Sequence, residues 1–342
     1  MNYRIALMEG DGIGPEQSAA AKTVLDDAEV NFDLSIELIP VEAGDRAAKN
    51  YGVALPEGSL ATLTKCDCCL KGPVGNSAYD VIVRLRQLLD LYANVRPARA
   101  LPNVPSLSSQ TDLVIVRENT EDLYIGLEEG DQQKATATRL ITRKASERIA
   151  KFAFDMARRR RKTVTAVHKA NVMKKTDGLF LSACREVANS YVDIDFKDML
   201  VDAAAMNLIR KPDSFDVLVT TNMFGDILSD EAAQVVGGLG LAASGNIGDS
   251  FAIFEPVHGS APDIAGKNIA NPTSMILSAA MMLDWLSEHN GDKKAAAASH
   301  AIRHSVETCL SAGETTPDLG GKLTTTEMAD AVSRRISQRV IA

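Results

Sequence analysis

The sequence predicts an α/β fold, and three observations carry that reading. Short, apolar, β-rich runs recur along the chain, among them YRIALM (3–8), DLVIVR (112–117) and DVLVTTNMF (216–224). Helix-period stretches such as QSAAAKTVLDDA (17–28) and SERIAKFAFDMARRRRK (146–162) lie between them. No internal repeat, low-complexity tract or long linker breaks this alternation, which argues for helices layered on a sheet. The 342 residues suffice for two well-packed domains, with the chain crossing between them twice. A content of 45% apolar and 24% charged residues is that of a soluble globular protein. The net charge of −8 disfavours general nucleic-acid binding, while local cations can still gather an anionic substrate.

Taken in order, Tyr3–Met8 is a buried strand feeding a loop with glycines at 10, 12 and 14 and Pro15 at the first helical turn. The spacing is G-x-G-x-G rather than G-x-G-x-x-G, so this is not a Rossmann fingerprint. A second strand covers 34–43, a helix about 57–65 and a strand 66–70, closed by the loop Gly72–Gly75. Residues 78–91 read as a helix with an extended exit over 94–99. Residues 112–117 form a buried strand, and 127–143 an arm or hairpin. A helix over 146–160 is followed by strands at 162–168, 196–201 and 216–221, with a helix within 171–188. Helices at 224–236, 273–289, 293–311 and 325–340, and a strand at 252–254, complete the chain.

Several features carry no chemistry. The basic run Arg158–Lys162 closes a helix, where cations complement the C-terminus. Cys66-Asp67-Cys68-Cys69 contains C-x-x-C but lies in an apolar strand with no second cysteine pair, so packing is the better reading than zinc or redox work. An odd count of five cysteines, with Met1 leading almost directly into a strand, gives the expectation of a reduced, cytoplasmic protein. The run at 274–286 is too short to span a bilayer and carries Asp284.

Other positions suit catalysis. Asp226 and Asp230 stand four apart, on one face of a helix that follows a buried strand. Two carboxylates so close repel unless a cation sits between them, and Mg²⁺ or Mn²⁺ suits such oxygen ligands. A solvated helix face is the plain alternative. Asp202, at a strand end before a helix, is a third candidate ligand. Arg86, Arg96 and Arg117 are surface caps if apart and a carboxylate clamp if together. Tyr124 and Lys169 suit proton transfer beside such a site, whereas His168 reads as a packed residue. In EPVHGSAPDIAGKNIANP (255–272), small residues Gly259, Ser260 and Ala261 allow close backbone approach to a phosphate or sugar. Asp263 offers an acceptor for a ribose diol and repels a 2′-phosphate.

These stretches together resemble the isocitrate/3-isopropylmalate dehydrogenase family of β-decarboxylating dehydrogenases. The resemblance covers essentially the whole chain, through GDGIGPE (10–16), LRQLLDLYANVRP (85–97), VRENTEDLY (116–124), HKANV (168–172), NMFGDILSDEA (222–232), GGLGLAASGNIGD (237–249), the 255–272 loop and TPDLGG (316–321). It implies a two-domain isopropylmalate dehydrogenase-like fold. One domain comprises 1–96 and 238–342 and holds both termini. The other, 97–237, carries a dimerisation arm at about 125–143. It also implies a homodimer with shared sites, or a higher assembly of it, using NAD and Mg²⁺ or Mn²⁺. Arg86, Arg96 and Arg117 match the substrate arginines, and Tyr124 and Lys169 the acid/base pair. Asp226 and Asp230 match metal ligands of one subunit, with Asp202 and Lys169 coming from the other. Ile13, Gly72, Asn171, Glu255, His258, Gly259, Ser260, Ala261, Asp263, Ile264 and Asn271 match cofactor contacts, with Asp263-Ile264 of the NAD type.

Substrate choice rests on the helix before Arg86. Isocitrate enzymes resemble S-x-N at the places held here by Asp80 and Ile82. Asp80 would repel a third carboxylate, and Arg84 could pair with it. Ile82 and Val83 match the aliphatic pair of isopropylmalate enzymes. The form NTEDLY (119–124) is shared by isocitrate and homoisocitrate members and by archaeal isopropylmalate members. The expectation is 3-isopropylmalate, with homoisocitrate or isocitrate second and D-malate or tartrate third. A catalytically silent paralogue is the competing class, but no clamp or metal residue is missing.

Overall fold

The computed structural model describes residues 2–338, and alternation along its strands decides where the polar side chains gather. Ten strands form one mixed sheet, β1 (Asn2–Met8), β2 (Ser35–Pro40), β3 (Cys68–Lys71), β4 (Ala93–Arg99), β5 (Asp112–Glu118), β8 (Thr163–His168), β9 (Asp195–Leu200), β10 (Val217–Thr220), β11 (Ala243–Ile247) and β12 (Ala252–Pro256). A separate hairpin pairs β6 (Glu128–Gly130) with β7 (Ala135–Ala137). The sheet order is β2-β1-β3-β12-β11-β4-β5-β10-β8-β9. Pairing is parallel within β2-β1-β3-β12 and within β5-β10-β8-β9, and antiparallel where β11 and β4 join the two blocks. The expected boundary between residues 96 and 97 falls inside β4.

Helices cover both faces. On one face, α1 (Gly14–Phe32), α9 (Thr273–Asn290), α10 (Lys293–Ser311) and α11 (Thr325–Gln338) bury Ile5, Leu70 and Phe254. Beside them α5 (Arg143–Arg158) and α6 (Thr176–Ala188) bury Val95, Val116 and Val219. On the other face, α2 (Asp45–Tyr51), α3 (Glu57–Leu63), a π-helix Tyr79–Val83 and α4 (Arg84–Leu88) pack over Met8, Cys69 and Ile253. There, too, α7 (Val201–Arg210) and α8 (Asn222–Val235) pack over Ile115 and Leu218. Side chains on a strand alternate between faces. Glu255 therefore shares the face of Ile253, and Arg96 and Arg117 that of Ile115. Register places Ser244 opposite Glu255, Asn246 opposite Asn94, and Asn94 opposite Arg117. A polar belt thus crosses mid-sheet between the α4 side and the α8 side.

Four expectations need correction. The helix expected over 78–91 is shorter and begins as a π-turn, the wide geometry often found at functional sites. That turn buries Val81, Ile82 and Val83 in succession. Strand β11 escaped notice because Ser244, Gly245 and Asn246 give no apolar alternation, although the strand is buried on both faces. Helix α2 was also missed. The Asp11 carboxylate accepts the Asp45 and Arg46 amides at 2.8 and 3.1 Å, a cap supplied from 34 residues away. Among the described residues, no ion pair joins Asp80 to Arg84, and both are exposed.

The bland readings hold. All five cysteines are unpaired and buried, and burial pushes the Cys68 thiol well above its ordinary range. The basic run is neutralised residue by residue, for example Arg160 by Asp112 and Asp216, each at 2.8 Å. No described helix is long and apolar enough to cross a membrane.

Candidate active site

The polar belt brings the three arginines together. Arg86, Arg96 and Arg117 are buried, and each is held by the sheet or by α8. Arg86 Nε donates to Asn246 Oδ1 at 2.9 Å, and its Nη2 lies 3.5 Å from Glu255 Oε1. Arg96 donates through Nε to Asn94 Oδ1 (2.7 Å) and through Nη1 to Ser229 Oγ (2.8 Å) and Asp230 Oδ1 (3.0 Å). Arg117 Nε donates to Asn222 Oδ1 at 2.9 Å, and its Nη1 pairs with Asp226. Arg117 Nη2 is buried without a partner. A buried guanidinium with an idle donor is costly unless a ligand takes it up. Burial and the neighbouring Arg117 lower the Arg86 guanidinium to about 10, the strain of gathering like charges.

Asp226 and Asp230 face this clamp from α8. Burial raises the Asp226 carboxyl, but Arg117 and Arg96 outweigh it and hold the group below its ordinary range. Asp230 goes the other way, raised chiefly by burial. Tyr124, on the 3₁₀ turn Leu123–Ile125, donates its hydroxyl to Asp226 Oδ2 at 2.5 Å, with the Arg117 guanidinium 4.9 Å from its ring centre. Burial raises the Tyr124 hydroxyl, Arg117 opposes this, and Asp226 reinforces it.

Lys169 and Asp202 lie elsewhere. Lys169 follows β8 and its ammonium meets Asp202, on α7, at 2.5 Å. Within one chain this pair makes no hydrogen bond or ion pair with Tyr124, Asp226 or Asp230. Among the described residues, no group of three His, Cys, Asp or Glu side chains could hold a metal ion. Asn171, beside Lys169, is exposed. His168 is packed as expected, its Nδ1 accepting the Ala170 amide at 3.1 Å and its Nε2 3.3 Å from Asp198.

Two cavities meet at His258 and Gly259. The first, about 170 Å³, is lined by Arg86, Arg96, Glu255 and an apolar wall of Ile82, Ala78 and Val74. Val83 is buried but does not line it. The second, about 400 Å³, gathers Ile13, His258, Gly259, Ala261, Ile264 and Asn271, with Gln17 and Asp318. Its floor depends on Gly12. With φ +58 and the Ser260 carbonyl where a Cβ would stand, only glycine lets Ile13 donate to Ser260 O at 2.9 Å. Asp263 is exposed, between the lining residues Ala261 and Ile264 in the chain. Gly72 serves the backbone, since a Cβ there would strike Glu9 O. Burial lowers the His258 imidazole, keeping it neutral.

Sequence reasoning missed the supporting groups. Lys71 pairs with Glu255 and, with Arg86, overcomes burial to pull its carboxyl down to about 2. Asn94, Asn119 and Asn246 fill the belt, Asn94 and Asn119 each donating to Asn246 Oδ1 at 3.0 Å. The polar second positions of ANVRPAR carried that signal.

A family model described as "Isocitrate/isopropylmalate dehydrogenase" matches residues 4–332. A 3-isopropylmalate dehydrogenase of Sulfurisphaera tokodaii is 50% identical over 338 residues, 98% of this chain and 100% of that protein. An isocitrate/homoisocitrate dehydrogenase of Thermus thermophilus is 49% identical, over 97% and 98%. The solved isocitrate dehydrogenase from Methylococcus capsulatus superposes with a TM-score of 0.90 at 46% identity, covering 98% of this chain and 99% of that one. The chain belongs to the isocitrate/isopropylmalate dehydrogenase family and is a β-decarboxylating dehydrogenase.

Proposed function

We propose, with membership of that family as the premise, that this enzyme converts 3-isopropylmalate to 2-oxoisocaproate with NAD and Mg²⁺ or Mn²⁺, in the cytoplasm, as a homodimer of two-domain subunits with shared sites. The observation that carries the substrate is the cavity beside Arg86, where carboxylate-binding cations face the apolar wall of Ile82, Ala78 and Val74. Such a wall suits a branched alkyl group, and Lys71, the further cation lining the cavity, is already paired with Glu255.

The residues fit the two groups the reaction needs. The 400 Å³ cleft and the Gly12 close approach suit a dinucleotide, and Asp263, next in the chain to the lining residue Ile264, would accept from a ribose diol. Asp226 and Asp230 of one chain, with Asp202 of a second copy, supply a hard-cation donor set. When bound, NAD accepts the C2 hydride and the cation withdraws electron density from the C2 oxygen. The chain does the rest. Arg86, Arg96 and Arg117 hold the carboxylates, with the idle Arg117 Nη2 ready for one of them. Lys169, from the second copy, takes the C2 hydroxyl proton. Once the β-carboxylate leaves as CO₂, Tyr124 returns a proton to the carbon that bore it. Exposed α7 residues Met206 and Ile209, with Ile227 of α8, support burial against a second copy.

A second reading, homoisocitrate or isocitrate, draws on the Thermus thermophilus relative and on NTEDLY. The test is NADH formation with Mg²⁺ or Mn²⁺, comparing kcat/KM for 3-isopropylmalate, threo-isocitrate, homoisocitrate and D-malate. Preference for 3-isopropylmalate supports the apolar wall. Preference for a tricarboxylate replaces the substrate and leaves the chemistry standing.

A further inference from the structure

Away from the clamp, one largely buried cation is linked through two carboxylates to both segments that carry a proton-transfer residue. Arg139 stands where the exposed β6–β7 arm returns to the body. Its Nε and Nη2 meet Asp122 Oδ1 and Oδ2 at 2.6 and 3.2 Å, and its Nη1 pairs with Asp177. Both carboxylates are fully buried. Nη2 also donates to Thr221 Oγ1 at 2.9 Å, just before α8, and the guanidinium lies 5.3 Å from the Phe224 ring centre.

Each carboxylate passes the contact on. Asp122 sits at φ +71 and ψ −146, a backbone region that side-chain-bearing residues avoid. The bend lies two residues before Tyr124. Asp122 accepts the Leu123 amide at 2.9 Å, opening the Tyr124 turn, and the Met223 amide at 3.1 Å, in the first turn of α8 above Asp226. Its own amide donates to Leu140 O at 2.9 Å. Asp177 accepts the Lys169 amide at 2.6 Å.

We propose that Arg139 is a positioning residue that clamps the strained Asp122 turn, and so Tyr124, in register with α8, while fixing the Lys169 backbone through Asp177. It touches neither substrate nor cofactor. The proposal rests on the roles given above to Tyr124 and Lys169. Because Lys169 serves the other copy's site, one Arg139 steadies the proton donor of its own site and the proton acceptor of its neighbour's.

The test compares wild type, Arg139→Lys and Arg139→Ala. In Arg139→Ala, kcat is expected to fall about thirtyfold or more, the scale of a small misplacement of catalytic groups. KM for NAD should be unchanged, the solvent hydrogen isotope effect on kcat should rise, and added guanidinium should restore part of the rate. Hydrogen exchange should quicken in peptides covering 119–126 and 169–178, with the rest of the sheet protected as in wild type. Arg139→Lys, which keeps the charge, should fall between the two. Wild-type protection of both peptides in Arg139→Ala overturns the clamp whether or not the enzyme turns over. A rate loss with uniformly raised exchange and no isotope change makes Arg139 a general stabiliser and also overturns it. A wild type that reduces NAD with none of the four acids counts against the proposed reaction instead.

Discussion

The cluster on β5 and α8 and the pair on β8 and α7 are built in opposite ways. Arg117, Arg96, Asp226 and Tyr124 are at least half-buried and already bonded to one another. The Lys169 and Asp202 side chains pair only with each other, Asp202 being 63% exposed and Lys169 27%. The first arrangement is complete within one chain. If the site is shared as proposed, the second is the half that another copy would use. The contrast recurs at the cofactor side, where Glu255 is sealed between Lys71 and Arg86 while Asp263 has no hydrogen bond or ion pair among the described residues.

The sharpest way to break this comparison is to separate the halves. Asp226→Asn and Lys169→Met should each be folded and essentially inactive. Random mixing by denaturation and refolding then makes half the dimers hybrids, each with one intact site, so roughly a quarter of wild-type activity should return. No recovery, with hybrids shown to form, would mean that Lys169 serves its own chain's site.

Arg117→Met probes the buried side. It removes the idle donor and leaves Asp226 short of a partner. Truncating one member of such a pair costs about 2–5 kcal/mol, so kcat/KM should drop roughly thirtyfold to a few thousandfold. The equivalent loss at the exposed pair should be small for folding, and equal thermal destabilisation by Asp202→Asn and Arg117→Met would erase the distinction.

This division also explains what was legible beforehand. Asp226 and Asp230 stand on a helical i,i+4 spacing and Arg117 near the end of an apolar strand, so a local pattern marks them, whereas the roles expected of Arg86 on α4 and Tyr124 on its 3₁₀ turn came from the family resemblance. The strands that carry them were read for the same reason. β11 and α2 were not, since one is polar on its active face and the other is capped by Asp11 from a distant loop. Lys71, Asn246 and Arg139 act through partners 184, 9 and 17 residues away, and no local pattern marks them. The cooperation of Lys169 with Tyr124 came only from the family resemblance, because nothing within one chain brings them together.

Glu255 sharpens the comparison through pH. Its folded value of about 2 lies below the ordinary 4.5, so its contribution to stability is full above about pH 4.5 and is lost as the pH falls toward 2. Glu255→Gln should flatten that acid limb. It should also lower stability near neutral pH by up to about 3 kcal/mol, since Lys71 and Arg86 lose a buried counter-charge. Urea unfolding at pH 7 and pH 3.5 measures both, and a variant that keeps the wild-type acid limb would place the titration elsewhere.

Asp263→Ala should give the smallest effect and the cleanest one. The side chain is exposed and holds nothing in place, so unfolding and kcat should match wild type. What it would lose is one charged acceptor for a ribose hydroxyl, about 1.5 kcal/mol, or roughly tenfold in KM for NAD. Removing the carboxylate also removes the repulsion of a 2′-phosphate, so the preference for NAD over NADP should narrow from both directions. A KM for NAD that stays put would shift the recognition inward, onto Ile13, Ile264 and Asn271, which line the cleft and of which Ile13 and Asn271 are buried.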